Sequence, residues 1–88
     1  MPLPDVSSVQ REVTAFIVDN FLFGNSAEAP APTTSFMETG LIDSTGVLEL
    51  VAFIEEKYGF KVGDDELVPE NLDSVANLAG FVVKKAGG

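Results

Sequence analysis

The sequence predicts an all-α fold, a four-helix bundle with three main helices, one short helix and a long loop after the first helix. Three segments place apolar residues at helical spacing, and no segment shows the strict alternation that is typical of a half-buried strand. The chain has 88 residues, which suits one domain spanning 1–88. Hydrophobic residues make up 45% of the sequence, enough for a folded core.

The first helix is predicted from about Ser7 to Phe23. Ser7, with Gln10 three residues later, fits a capping box, and Asp5 ahead of it suits the positive end of the helix dipole. Apolar residues recur along the segment at the spacing of one helix face. This stripe consists of Val9, Val13, Phe16 and Ile17.

A long loop is predicted over 24–35, after the first helix. Pro30 and Pro32 oppose helix formation, and the small residues around them can add little to a core. Loops of this length inside a small domain are usually functional or mobile, so we expect this one to be flexible. Gly40, just beyond the loop, predicts a tight backbone turn.

The second helix gives the clearest pattern in the chain. It begins at Asp43 or Ser44, both favoured N-cap residues, and ends before Gly59, where a left-handed residue commonly closes a helix. Gly46 in its first turn is a poor helix former, by about 1 kcal/mol relative to Ala, so we expect this turn to fray. The apolar stripe consists of Val47, Leu50, Val51, Ile54 and Tyr58.

The remaining sequence predicts one short and one long helix. A short helical turn is expected over 64–68, stopped by Pro69. The last helix begins near Asp73 or Ser74, and residues 86–88 form a frayed tail. The apolar stripe of the last helix consists of Val75, Leu78, Ala79 and Val82.

The core of so small a domain depends on aliphatic and phenylalanine packing. An 88-residue chain buries a modest share of its surface, and without cysteine it has no disulfide to compensate. Most of the phenylalanines are therefore predicted to be core residues. They are Phe16, Phe21, Phe23, Phe36, Phe53, Phe60 and Phe81.

The composition argues against an enzyme. The sequence has no His and no Cys, so Ser-His and Cys-His nucleophile pairs and ordinary zinc sites are excluded. The acidic run over 64–66 lacks the ligand spacing of a helix–loop–helix calcium site and better fits the start of a short helix. We therefore expect no catalytic residues and no metal site; the alternative that composition leaves open is a site built from oxygen ligands.

The formal net charge of −9 restricts the possible partners. Such a surface repels nucleic acid and anionic membranes and attracts basic protein surfaces, although excess charge can also serve only solubility. The sequence shows no apolar stretch long enough for a membrane span and no signal peptide at its start. The expectation is a cytoplasmic monomer without membrane insertion.

Ser44 stands out at the head of the second helix. It lies outside the apolar stripe and follows a long loop, so its hydroxyl should be exposed. A phosphate attached there would lie at the positive end of the helix dipole, near free backbone N–H groups. The alternative is that Asp43-Ser44 is an ordinary helix cap.

The surrounding residues resemble the acyl carrier protein superfamily, which includes acyl, peptidyl and D-alanyl carriers. The shared pattern is an acidic residue and a Gly, then Asp-Ser, a helix with Glu-Leu, a Glu-Glu pair and an aromatic-Gly stop. It extends over about 36–83, and the first helix agrees more loosely. The matching residues here are Glu38 and Gly40, Asp43-Ser44, Glu49-Leu50, Glu55-Glu56 and Tyr58-Gly59.

The resemblance implies a stand-alone, non-catalytic carrier with an acyl-carrier-protein-like bundle. A phosphopantetheinyl transferase would attach 4′-phosphopantetheine from coenzyme A to Ser44, with Asp43 in support. The thiol of the arm would carry an acyl group as a thioester to partner enzymes of fatty acid, lipid or polyketide-type synthesis. Two alternatives stay open: an aminoacyl, D-alanyl or peptidyl carrier, and an unmodified interaction domain that retains the fold.

The resemblance also implies a docking face on the second helix, where carboxylates meet basic side chains of the loading and accepting enzymes. The alternative is an ordinary solvated helix face. Thr45 departs from the family pattern, where Leu is usual, and reduces the apolar patch beside Ser44. The implied partner-binding residues are Thr45, Leu48, Glu49, Ala52 and Glu56.

Overall fold

The computed structural model describes residues 5–87, which form a helical bundle without strands. The prediction of an all-α fold with three main helices is confirmed. The main helices are joined by two short α-helices and two single 3₁₀ turns. The α-helices are α1 (Val6–Phe21), α2 (Phe36–Thr39), α3 (Ser44–Tyr58), α4 (Pro69–Leu72) and α5 (Val75–Gly87), and the 3₁₀ turns are Ser26–Glu28 and Asp64–Glu66.

The core lies between the three main helices, and α5 packs mainly against α1. The predicted stripes face this core, because most of their members are buried. Val47, Tyr58 and Phe16 are only half-buried and pack at its edge. The buried stripe residues are Val9, Val13, Ile17, Leu50, Val51, Ile54, Val75, Leu78, Ala79 and Val82.

Helices α1 and α3 run antiparallel, which follows from the pairs that they form. Near the middle of α1, Glu12 forms an ion pair of 3.3 Å with Lys57 in the last turn of α3. Further along, the Phe16 and Phe53 rings stack with centroids 4.3 Å apart. The C-terminal end of α1 therefore lies beside the N-terminal end of α3, and Phe21 contacts the Phe16 ring edge-on at 6.2 Å.

The helix caps differ from the prediction in one place. The N-cap of α1 is Asp5, whose carboxylate accepts a hydrogen bond from the Ser8 N–H at 2.7 Å. The capping box assigned to Ser7 is wrong, because Asp5 closes the first turn two residues earlier and Ser7 is already helical. The predicted start of α5 is confirmed, since Ser74 Oγ accepts from the Asn77 N–H at 3.0 Å.

The loop over 24–35 contains one 3₁₀ turn and is tied to the bundle at its far end. The Pro32 carbonyl accepts a hydrogen bond from the Ala76 N–H at 2.8 Å. The Ser35 hydroxyl donates to the Asp73 carboxylate. These bonds fasten the last residues of the loop to the start of α5, while the expected flexibility of the loop stays a prediction.

Two boundaries in the second half of the chain need correction. Pro69 does not stop a helical turn over 64–68 but begins α4, because proline fits the first position of a helix, where its missing N–H is not needed. The helix α5 continues to Gly87, so 86 and 87 have helical conformation, while their expected fraying stays a prediction. Gly88 lies outside the described residues.

Glu66 fastens the end of the bundle that lies beyond the C-terminus of α3. Its carboxylate accepts hydrogen bonds from the Gly63 N–H at 2.8 Å and from Lys85 Nζ at 3.0 Å. These two bonds hold the pKa of this carboxyl below its ordinary value, and the bond from the Gly63 N–H has the larger effect. Because both bonds favour the ionised form, the folded state is stabilised by the charge on Glu66.

Glu66→Gln should therefore make stability less dependent on acid pH. Because the pKa of Glu66 is lower in the folded state, its charge stabilises the fold at pH values above the ordinary glutamate pKa of about 4.3. This stabilisation is lost as the pH falls through the pKa that Glu66 has in the folded state. We expect the melting temperature of the variant at pH 7 to be lower than that of the natural chain, and the difference between the two melting temperatures to become smaller towards pH 3. Glu70→Gln, at an exposed position, is the control. A difference that is equal at both pH values would contradict this role.

Candidate functional site

Ser44 is the first residue of α3, and its side chain is exposed. The N-cap is Asp43, whose carboxylate accepts a hydrogen bond from the Gly46 N–H at 2.8 Å. Asp43 has the extended backbone that an N-cap requires. Because Asp43 does the capping, the interpretation of Ser44 as the helix cap falls away, and its hydroxyl is available for another role.

The first turn of α3 offers backbone donors next to this hydroxyl. The first N–H groups of a helix have no partner inside the helix. The Asp43 carboxylate accepts one of them, that of Gly46, and the Val47 N–H donates to the Asp43 carbonyl at 2.9 Å as the first bond of the helix itself. The N–H groups of Ser44 and Thr45 remain at the positive end of the helix dipole, which favours an anion. A phosphodiester on Ser44 fits this arrangement.

The close approach of α3 to its neighbours depends on Gly46. A Cβ atom at this position would lie 2.5 Å from Ile42 Cγ2 and 2.9 Å from Phe21 Cε1, both far inside van der Waals contact. Gly46 is buried under these two side chains. From the sequence alone Gly46 is only a weak helix former, whereas in the structure its close packing fixes the first turn.

The turn before Ser44 is set by a second glycine. Gly40 ends α2 with a φ of +73°, in the left-handed region, as its predicted tight turn requires. The chain then returns towards α2, and the Ile42 N–H donates to the Phe36 carbonyl at 3.4 Å. Ile42 and Phe36 are buried, so the segment that leads to Ser44 is anchored in the core.

One flank of Ser44 opens into an apolar cleft of about 240 Å³ between α3 and the segment that contains α4. The cleft could not be predicted from the sequence, because its walls come from three separate parts of the chain. No single periodic pattern contains them. Besides Ser44, its apolar lining includes Met37, Val47, Leu48, Leu67 and Leu72.

Comparison with known proteins agrees with this geometry. A family model described as a phosphopantetheine attachment site matches residues 22–82. An acyl carrier protein of Nitratidesulfovibrio vulgaris (strain DP4) is 35% identical over 75 residues, covering 80% of this chain and 96% of that protein. The chain belongs to the acyl carrier protein family. Acyl carrier proteins of Chlamydia trachomatis (serovar D) and Akkermansia muciniphila are each 31% identical to this chain. The alignments cover 96% of each relative, and 89% and 92% of this chain respectively.

The docking face that the carrier family implies is exposed along α3. Leu48 is the most exposed large apolar residue of this helix, with 56% of its surface accessible. Glu55 differs from its neighbour Glu56, because its carboxylate accepts a hydrogen bond from the Val62 N–H at 2.8 Å and holds the following loop. The predicted partner-binding residues are all exposed: Thr45, Leu48, Glu49, Ala52 and Glu56.

Charge is distributed unevenly along the carrier bundle. Between residues 13 and 54 the sequence has five carboxylates and no Lys or Arg. Lys57 pairs with Glu12 at the end of α3 that lies away from Ser44, and Lys85 pairs with Glu66. The Ser44 end of the α1–α3 pair is therefore anionic, which favours the approach of a basic protein surface.

Gly46→Ala should destabilise the protein although Ala is the better helix former. Overpacking against Ile42 and Phe21 costs about 1–3 kcal/mol, which exceeds the propensity gain. Gly80→Ala is the matched control, because Gly80 lies inside α5 with nothing within 4 Å of an added Cβ. Chemical denaturation should show Gly46→Ala less stable and Gly80→Ala more stable than the natural chain by about 1 kcal/mol.

If Gly46→Ala were as stabilising as Gly80→Ala, the first turn of α3 would not be closely packed in solution. Ser44 would then stand on a loosely held helix end.

Proposed function

We propose that Ser44 is the residue to which 4′-phosphopantetheine is attached, and that the chain carries acyl groups on this arm. The observation that supports it best is the exposed Ser44 hydroxyl on a helix start that Asp43 already caps. Ser44 also lies inside the span matched by the attachment-site family. The arm supplies a thiol, which this cysteine-free chain does not have, for a thioester with the cargo.

The residues of the chain hold and present the hydroxyl without activating it. Asp43 orders the first turn of α3, and the N–H groups of Ser44 and Thr45 favour the negative charge of a phosphodiester. The sequence has no His or Cys to act as a nearby base or nucleophile. Activation of Ser44 is therefore assigned to a separate phosphopantetheinyl transferase, of which this chain is the substrate.

An acyl cargo is favoured over an aminoacyl cargo. The relatives described above are named acyl carrier proteins. The cleft beside Ser44 is lined mainly by aliphatic side chains. Burying methylene groups of an acyl chain there is favourable by about 0.8 kcal/mol each.

The proposed partners are the transferase and the enzymes that load and accept the acyl group. They would present basic side chains to Glu49 and Glu56 and a small apolar surface to Leu48 and Ala52, with Thr45 at the edge. We place the carrier in the cytoplasm with these enzymes. Among the described residues, no helix has the length and apolar character that crossing a membrane requires.

The intact mass of the protein tests the attachment. After incubation with coenzyme A and a broad-specificity phosphopantetheinyl transferase, the natural chain should gain the mass of one phosphopantetheine and Ser44→Ala should gain none. Ser26→Ala is the matched control, because Ser26 is also an exposed first residue behind a side-chain cap, Asn25. It should gain the same mass as the natural chain.

Added mass on Ser44→Ala would move the attachment to another residue. No added mass on the natural chain with several transferases would contradict the carrier proposal, and an unmodified interaction domain would then explain the fold better.

The charge of Glu49 should control the encounter with the transferase. Glu49→Lys should raise the KM for the carrier several-fold at low ionic strength and leave kcat unchanged, because it repels a basic surface. Asp64→Lys makes the same charge change on the 3₁₀ turn beyond the C-terminus of α3. Equal effects of the two variants in transferase kinetics would mean that net charge matters and the α3 face does not.

A further inference from the structure

Phe23 is the exception among the phenylalanines, which the sequence analysis assigned mostly to the core. Its side chain is 97% exposed, and its backbone has a φ of +54°. A positive φ is uncommon for any residue with a Cβ and is a genuine outlier for a bulky one. Exposing a large aromatic side chain also forgoes the burial that stabilises the others.

The backbone around Phe23 is held in place. The Gly24 N–H donates to the Val18 carbonyl at 2.8 Å, and the Asn25 N–H donates to the Leu22 carbonyl at 2.9 Å. These bonds close the end of α1 and leave Phe23 at the position where glycine usually stands. A strained, exposed residue in an ordered turn indicates a use outside the fold, because glycine would satisfy the turn at lower free energy.

The position of Phe23 follows from the pairing of α1 with α3. The Phe16 ring of α1 stacks on the Phe53 ring of α3. Five residues further along α1, the Phe21 ring lies against Gly46, which comes seven residues before Phe53 in α3. Two residues beyond Phe21 the chain therefore lies at the end of the bundle that carries Ser44. Phe21 also lines a shallow depression of the surface with Asp43, Thr45 and Glu49.

We propose that Phe23 is an apolar anchor for the phosphopantetheinyl transferase that modifies Ser44. The anchor extends the docking surface from α3 onto the end of α1. This inference rests on the proposed function. The partner surface that it fits has an apolar pocket for one aromatic ring, next to basic side chains that face the carboxylates of Asp43 and Glu49.

The charge around the site is the reason to choose this occupant over a second copy of the chain. Asp43 and Glu49 lie on the surface beside Ser44, and the sequence between residues 13 and 54 has five carboxylates and no basic residue, so two Ser44 ends repel each other. A basic enzyme surface is attracted to the same end, and it must approach Ser44 in any case. One exposed aromatic ring within a charged rim is the usual form of an interface hot spot.

Phe23→Gly is the informative variant, because glycine removes the ring and relieves the positive φ together. We expect its melting temperature to equal or exceed that of the natural chain. With coenzyme A and the broad-specificity transferase, its KM as the carrier substrate should rise about tenfold while kcat stays the same. Val6→Ala is the control, since Val6 is exposed at the opposite end of α1 and its truncation should leave KM unchanged.

Three outcomes would overturn the proposal. An unchanged KM for Phe23→Gly, with the natural chain modified normally, would refute the anchor and leave the attachment to Ser44 intact. A lower melting temperature would mean that Phe23 serves the fold. A natural chain that sediments as a dimer at high concentration and a Phe23→Gly chain that sediments as a monomer would assign the ring to self-association. Failure of the natural chain to be modified refutes the proposed function itself.

Discussion

The close packing of Gly46 under Ile42 and Phe21 is the contact on which the candidate site depends. It brings the first turn of α3 against the last turn of α1 at a distance that no side chain at position 46 would permit. The same contact links three segments that are far apart in sequence: the end of α1, the turn after α2 and the start of α3. Their meeting point decides where Ser44 stands and which way it faces.

Two further features turn this packing into a site. Asp43 closes the first turn through the Gly46 N–H, so the same glycine supplies both the close approach and the cap donor. The Ser44 side chain is thereby left in solvent, next to free N–H groups and to an apolar cleft. A hydroxyl, a positive helix end and an apolar cleft side by side suit the three parts of a charged cargo arm: its bond to the protein, its phosphate and its apolar load.

The apolar stripes of the main helices could be predicted because helical periodicity is a local property. Gly40 and Gly59 were also predictable, since a left-handed helix end favours glycine, and both have positive φ. The four-residue helix α2 is too short to show a period. The roles of Gly46 and Phe23 depend on what lies beside them in space, so composition gave a fraying turn for one and a core position for the other. The motif around Ser44 predicted the candidate site, but the cleft beside it joins segments that no motif connects.

Hydrogen exchange of the unmodified protein, read at single amides by NMR, tests most directly whether Ser44 stands on a turn that is ordered before any group is attached. If the packing at Gly46 holds in solution, the amides of Gly46 and Val47, which donate to Asp43 at 2.8 and 2.9 Å, should be protected nearly as well as those in the middle of α3. Exchange of these two amides at the rate of an unstructured peptide would show a frayed turn. The preformed site described here would then be contradicted.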